Sequence, residues 1–332
     1  MINTPPKHIL ISRTDAIGDV VLTLPMCGYI KEKLPDVEIS FLGRSYTEAV
    51  INACSAIDHF INYDELLRDS YTQRISFLRK SQIDTFIHVY PDKNLGLLAA
   101  ISGIPNRIGT NNRISHWFSC NNFITLSRKN SDLHEAQLNL MLLQGIGIHE
   151  LPGIQEIPQY YNLTKIPVLE DRYRELLSPD KFNLILHPKS RGSAREWRLD
   201  KYSELISNID KNRFRIFVSG TYKEKPLLTA WLKQHSNDVT DIVGALSLNQ
   251  FIAFIKHADG LLAASTGPLH IAAALGIYSL GLYSNSRPIH AGRWHPIGTK
   301  SQWVEEHEHK HKSHWLHIAA EEIASIVNEW EK

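Results

Sequence analysis

The chain has 332 residues, enough for two domains of ordinary size, and 43% of them are hydrophobic. Its 36 Lys and Arg residues against 35 Asp and Glu leave a formal net charge of +1, so no global field draws it to nucleic acid. Three widely spaced cysteines, Cys27, Cys54 and Cys120, form neither a disulfide framework nor a C-x-x-C metal motif and point to a reducing cytoplasm, while no apolar run reaches the ~20 residues of a membrane span.

Short branched apolar runs alternate with amphipathic stretches, the pattern of parallel sheets joined by crossover helices. In the first half, strands are expected at 8–12 (HILIS), 37–43, 84–90, 107–110 and 123–126, and helices at 20–34 and 134–147. The stretch 149–167 is rich in proline and poor in periodicity, which reads as a linker. The pattern then restarts with strands at 182–188, 214–220, 258–264 and 278–284, and closes with an amphipathic helix at 319–330. Two α/β halves are therefore expected, residues 1–160 and 161–332, with a cleft between them and ligands beyond the carboxyl ends of the strands.

Three loops could carry chemistry. The first, ISRTDAIGDVV, follows the opening strand; Gly18 allows a tight turn and Asp19 falls in the first turn of the next helix. A helix cap is the simpler reading of Asp19 alone, and a turn residue that of Asp15. The loop lacks both the G-x-G-x-x-G of dinucleotide binding and the Gly-Lys-Ser/Thr ending of a phosphate-binding loop, which ranks a nicotinamide oxidoreductase last. The second loop, HPKSRGSAREW, interleaves Lys189, Arg191 and Arg195 with Ser190, Gly192 and Ser193, offering cations, hydroxyls and backbone N–H groups to phosphate, or merely a solvated charged loop. In the third, AASTGPLHIAAALG, Pro268 suits a first helical turn and small residues follow, so a helix N-terminus can approach an anion closely. A tightly packed strand-to-helix turn is the alternative, with His270 a structural residue. The histidine-rich run EEHEHKHKSHW (305–315) reads as a solvated segment rather than a metal site, and no D-x-D pair is present to hold a divalent metal beside a sugar nucleotide.

Taken in order, RTDAIGDVVLTLP, RIGT, HEAQLNLMLL, HPKSRGSAREW and STGPLHIAAALG resemble the family 9 glycosyltransferases, the group of the lipopolysaccharide heptosyltransferases, over nearly the whole chain. The resemblance implies an α/β GT-B fold: two Rossmann-like domains with parallel sheets facing across a cleft, the first for the acceptor and the second for an ADP-sugar. It also implies inverting transfer without metal or cofactor, in keeping with the missing D-x-D.

Matched residue by residue, Asp19 occupies the position of the family's general base, and Arg195 is similar to its phosphate-binding lysine. Ser190, Arg191 and Ser193 would complete the phosphate cradle. Thr266, Gly267, Pro268, Leu269 and His270 match the segment at the donor diphosphate, with Ser265 standing where the family commonly has an acid. Weaker matches put Glu224 near the ribose and Leu246 beside the base. Asp15 would orient the acceptor, and Arg44, Lys93, Arg107 and Arg113 could meet an anionic glycolipid such as phosphorylated or Kdo-bearing lipid A core. The expected setting is the cytoplasmic face of the inner membrane, with peripheral contact. A GT-B-shaped sugar-nucleotide epimerase and a non-catalytic nucleotide-binding homologue are the alternatives.

Overall fold

The opening strand β1 (His8–Ser12) is buried at every position, as an inner strand of a parallel sheet requires. In the computed structural model, which describes residues 5–128, 131–307 and 315–332, the chain forms two units, Met1–Lys165 and Ile166–Lys332. The first holds β1, β2 (Glu38–Gly43), β3 (His59–Asn62), β4 (Thr85–His88), β5 (Asn106–Thr110) and β6 (Asn122–Ile124) in the order β3-β2-β1-β4-β5-β6. The second holds β7 (Phe182–His187), a short β8 (Glu196–Trp197), β9 (Phe214–Val218), β10 (Val239–Asp241), β11 (Gly260–Ala264), β12 (Tyr278–Tyr283), β13 (Ser301–Glu305) and β14 (Trp315–Leu316). Its main sheet runs β10-β9-β7-β11-β12-β13, and β8 pairs separately with β14.

Counted within each main sheet, both orders are 3-2-1-4-5-6, and every pairing is parallel. This is the doubly wound Rossmann arrangement, in which the order reverses beside the first strand and opens a crevice at the carboxyl edge. In the first unit that point lies between β1 and β4, and in the second between β7 and β11.

The expected helix over 20–34 is two helices, Ile17–Val21 and Leu24–Lys33. Pro25 can only sit in a first turn, and Thr23 turns its hydroxyl back onto the Asp19 carbonyl at 2.8 Å. Gly18 consequently lies inside the first helix rather than in a turn before it. The stretch 134–147 is helical to Leu140, tightens into a 3-10 segment and ends at Gly147, whose φ of +86° is the left-handed stop that glycine supplies.

The proline-rich stretch before the second unit is fastened to the first. Leu163 bridges Cys54, Ser55 N–H donates to the Asn162 carbonyl at 2.8 Å, and the Tyr160 ring meets Tyr29 edge-on at 5.0 Å. Gly28 makes this contact possible, because a Cβ there would stand 2.1 Å from the Tyr160 carbonyl oxygen. Gly28→Ala is therefore expected to cost about 1–3 kcal/mol, read as a lower urea midpoint, since the obstacle is backbone rather than a side chain that can swing away.

Candidate active site

At the carboxyl end of β1 the chain continues the ladder, with Arg13 N–H donating to the Leu42 carbonyl at 3.1 Å, and then turns through Asp15 into the helix that carries Asp19. Arg13 is buried and gathers three carboxylates. Its Nε donates to Asp15 at 2.6 Å, one terminal nitrogen to Asp19, and the other to Glu135 at 3.2 Å and the Asn139 amide oxygen at 3.4 Å. Arg128 meets the same Glu135 and the same Asn139 oxygen, the latter at 3.1 Å. Asn139 in turn donates to the Leu22 carbonyl at 3.1 Å and to Thr23 Oγ1 at 3.2 Å. The two motifs RTDAIGD and HEAQLNLMLL thus close on each other as one buried ion-pair network.

Burial is the strongest influence on the Asp19 carboxyl and lifts it from 3.8 to about 6; Arg13 pulls it down, while Asp15 and Glu135 push it up. The same three acids outweigh the burial penalty on Arg13 and hold its guanidinium above its usual value. Asp19 remains partly open, its side chain 18% accessible, so a carboxylate of raised basicity faces solvent at the switch point of the first sheet.

Sequence reasoning missed Arg13, Arg128, Glu135 and Asn139. The signal was present: an arginine directly after an all-apolar strand and a glutamate within an apolar helix are both costly to bury alone.

The expected acceptor residues divide. Arg44, Lys93 and Arg113 follow β2, β4 and β5, so with Asp15 and Asp19 they sit in the loops and first helical turns at one edge of the sheet. Tyr46 ties that edge together by donating to the Asp15 carbonyl at 2.5 Å, and Arg44 pairs with Asp64 at 3.0 Å. Arg107 stands apart. It lies near the amino end of β5 and donates to the Ser119 and Ile104 carbonyls at 2.7 and 2.5 Å, a structural role.

In the second unit, the loops after β7, β9, β10, β11 and β12 likewise share one edge. The loop after β7 differs from expectation in one respect: its hydroxyls are used internally, as are the N–H groups of Ser190, Gly192 and Ser193. Ser190 Oγ donates to the Ala194 carbonyl at 2.8 Å and Ser193 Oγ to the Ser190 carbonyl at 2.7 Å, while Ser190 N–H and Gly192 N–H are also satisfied. Arg191 and Gly192 have φ of +53° and +82°, the pair of left-handed residues that a type I′ turn needs. Lys189 pairs with Glu196 at 2.7 Å, and half-buried Arg195 with buried Glu306 at 3.1 Å. Arg191 is exposed, with no ion pair among the described residues. Cations, not hydroxyls, are what this loop presents.

The loop after β11 leads into the helix Gly267–Ala274 with Pro268 in its first turn. Thr266 is the N-cap, yet its side chain caps nothing: Oγ1 is buried without a hydrogen-bond partner. First-turn N–H groups and an idle hydroxyl therefore meet at the switch point. Ser265 is half-buried just past β11, and the buried Tyr283 phenol donates to the Trp294 carbonyl at 2.6 Å. Leu269 and His270 are buried; burial, then the charge of His295, lowers His270 to about 3, so it is neutral at physiological pH. Glu224, after β9, accepts from Thr221 N–H and Oγ1 at 2.6 and 2.7 Å through one oxygen, and its other oxygen is buried without a partner. Leu246 is half-buried between β10 and the helix Leu248–His257.

Among the described residues no group of three or more His, Cys, Asp or Glu side chains is placed to hold a metal ion. Most of the histidine-rich run, residues 308–314, lies outside the described residues. The three cysteines are buried and unbridged.

Residues 77–319 match the model of glycosyltransferase family 9 (heptosyltransferase), well over half of the chain. The chain belongs to that family. Its resemblance in ordered motifs is thereby confirmed, and glycosyltransferase activity comes with the membership. A putative glycosyltransferase of Haemophilus influenzae is 29% identical over 88% of this chain and 86% of its own length. The lipopolysaccharide core heptosyltransferase OpsX of the same species is 21% identical over 92% of this chain and 87% of its own. The structure of the Escherichia coli heptosyltransferase WaaC with ADP superposes with a TM-score of 0.74 at 15% identity, covering 97% of this chain and 99% of that one. The fold of this family 9 glycosyltransferase is thus GT-B, two Rossmann-like units with parallel sheets. Asp19 precedes the matched stretch, whereas Glu135, Arg195 and Thr266 fall within it.

Proposed function

We propose that this enzyme moves a heptose, or a closely related sugar, from ADP-heptose to an anionic sugar acceptor of the lipopolysaccharide core, inverting the anomeric centre without a metal or cofactor. The observation that carries the reading is the raised, partly open Asp19 carboxylate held by Arg13 at the carboxyl edge of β1. In this mechanism Asp19 takes the proton of the acceptor hydroxyl as its oxygen attacks the anomeric carbon. The bond from that carbon to the diphosphate oxygen breaks on the opposite face, and its electron pair leaves with the diphosphate. Arg195, Arg191 and the N-terminus of the Gly267–Ala274 helix offset the charge that develops there. The unpartnered oxygens of Thr266 and Glu224 suit a phosphate oxygen and a ribose hydroxyl. The relatives support donor and pathway: OpsX is named for the lipopolysaccharide core, and the WaaC structure holds ADP. Work on such an acceptor places the enzyme at the cytoplasmic face of the inner membrane, and none of the helices among the described residues is long and apolar enough to cross it.

Thermal stabilisation by ADP, UDP and GDP, each with and without EDTA, tests the donor half. ADP alone is expected to raise the melting temperature, unaffected by EDTA, because a ligand that binds only the folded state adds about 2.7 kcal/mol at a hundredfold excess over Kd. Preference for UDP or GDP would replace the sugar nucleotide. No response to any would argue for a non-catalytic homologue. Arg195→Ala is expected to weaken ADP about tenfold or more, as loss of a charge-assisted hydrogen bond does; unchanged affinity would move the phosphate site elsewhere.

A further inference from the structure

From Lys93 through Ser131 the sequence contains no Asp or Glu, although the chain as a whole carries about one acid for every ten residues. The same stretch carries Lys93, Arg107, Arg113, Arg128 and Lys129. Within it lies the short helix Ile114–Ser119, which buries His116 and Ser119 and turns its apolar residues outward. Ile114 is 73% exposed, Trp117 64% and Phe118 80%. Their spacing of three and four positions sets them on one face of the helix.

A fourth residue extends the patch. Gly109 faces this helix, since a Cβ on it would stand 2.6 Å from Cys120 Sγ and from His116 Nδ1. Phe123 pairs with Gly109 across β5 and β6, so its side chain leaves the same face of the sheet, beside the helix, and is 43% exposed. Trp117 is braced by its indole N–H on the Asn111 carbonyl at 2.8 Å, at the carboxyl edge of β5, and exposed Arg113 begins the helix at that edge. An exposed cluster of Trp, Phe and Ile inside an acid-free, cation-bearing stretch is unlike ordinary surface, where large apolar residues are scattered and charges are mixed.

We propose that this face, Ile114, Trp117, Phe118 and Phe123 with Arg113 at its rim, docks on an anionic lipid bilayer. The apolar side chains enter the headgroup boundary, and exposed Arg113 and Lys93 are drawn to the negative surface. Charge decides between occupants: the stretch that builds this face supplies exposed Arg113 and no acid, so two copies would bring like charges together, whereas an anionic bilayer complements them. The inference deepens the proposed function, because the docking face lies in the unit that carries Asp19, at the sheet edge where a glycolipid acceptor would be met. It can nevertheless be tested without any transfer.

The test is sedimentation of the full chain with vesicles of phosphatidylcholine alone and of phosphatidylcholine with a minority of phosphatidylglycerol, at low and raised salt. Binding is expected to the anionic vesicles, weakening as salt screens the surface. The double variant Ile114→Ser/Phe118→Ser is expected to lower that partitioning about tenfold or more, through lost burial of two apolar side chains. Its circular dichroism and its stabilisation by ADP should remain those of the parent; Phe123→Ser, outside the helix, should act in the same direction more weakly. Partitioning that the double variant leaves unchanged, or equal binding to neutral vesicles, overturns the proposal. So does failure to bind either vesicle; if self-association abolished by the same substitutions accompanies that failure, the face belongs to a second copy of the chain. Vesicle binding that survives in a protein found unable to transfer a heptose would retire the donor and acceptor reading alone.

Discussion

Asp19→Asn is expected to lower kcat by about two to four orders of magnitude, the range general-base catalysis supplies, while ADP affinity and melting temperature change little. The separation follows from the charge balance around the residue. Burial, Asp15 and Glu135 disfavour the ionised carboxyl more than Arg13 favours it, so its pKa is raised to about 6. A carboxyl raised on folding contributes stability below its unfolded value near 3.8, and that contribution is lost as pH rises through about 6. At neutral pH the ionised group is therefore no asset to the fold, and a neutral amide can keep a hydrogen bond to Arg13. Activity carries the opposite sign: the base must be unprotonated, so kcat/KM in the parent should rise with pH and level off above about 6. The residual activity of the variant should lack that limb. A variant that lost ADP binding and thermal stability together would reduce Asp19 to a structural cap.

What could be read from the sequence, and what could not, follows from burial. Inner strands such as HILIS and GLLAA are covered on both faces and announce themselves as unbroken apolar runs. β3, β10 and β13 escaped because they lie at or next to sheet edges, where one face is half-open and residues such as His59, Asn62 and Gln302 are tolerated. Of the candidate site, Pro268 after Thr266 could be located in advance because a proline and a chain of small residues permit few alternatives. Ser190 and Ser193 could not be judged, since only the fold shows that the turn at Arg191 and Gly192 consumes their hydroxyls. The Arg13 to Glu135 contact joins residues more than a hundred positions apart, so no local pattern contains it. Each partner carried half the signal, as a charge set among buried residues without a visible counter-charge.

That contact carries the other large expected effect. Arg13→Met should destabilise the first unit by about 3–5 kcal/mol, the cost of breaking a buried ion pair from one side, measured as a loss of free energy in urea unfolding. Glu135 is 1% exposed and would retain Arg128 but not the guanidinium that bridges it to the loop and helix carrying Asp15 and Asp19. Asp15 and Asp19 would face each other with no cation between them. Because Arg13 is what pulls the Asp19 carboxyl down, its removal should raise that pKa further and move the acidic limb of kcat/KM upward, the opposite of what a purely structural lesion would do. Arg13→Lys supplies the control. It keeps the charge but not the planar fork that reaches three carboxylates and Asn139 at once, so part of the stability should be lost while the limb stays near its parent position. If Arg13→Met left the limb in place, the tuning of Asp19 would have to come from burial and its acidic neighbours without the arginine.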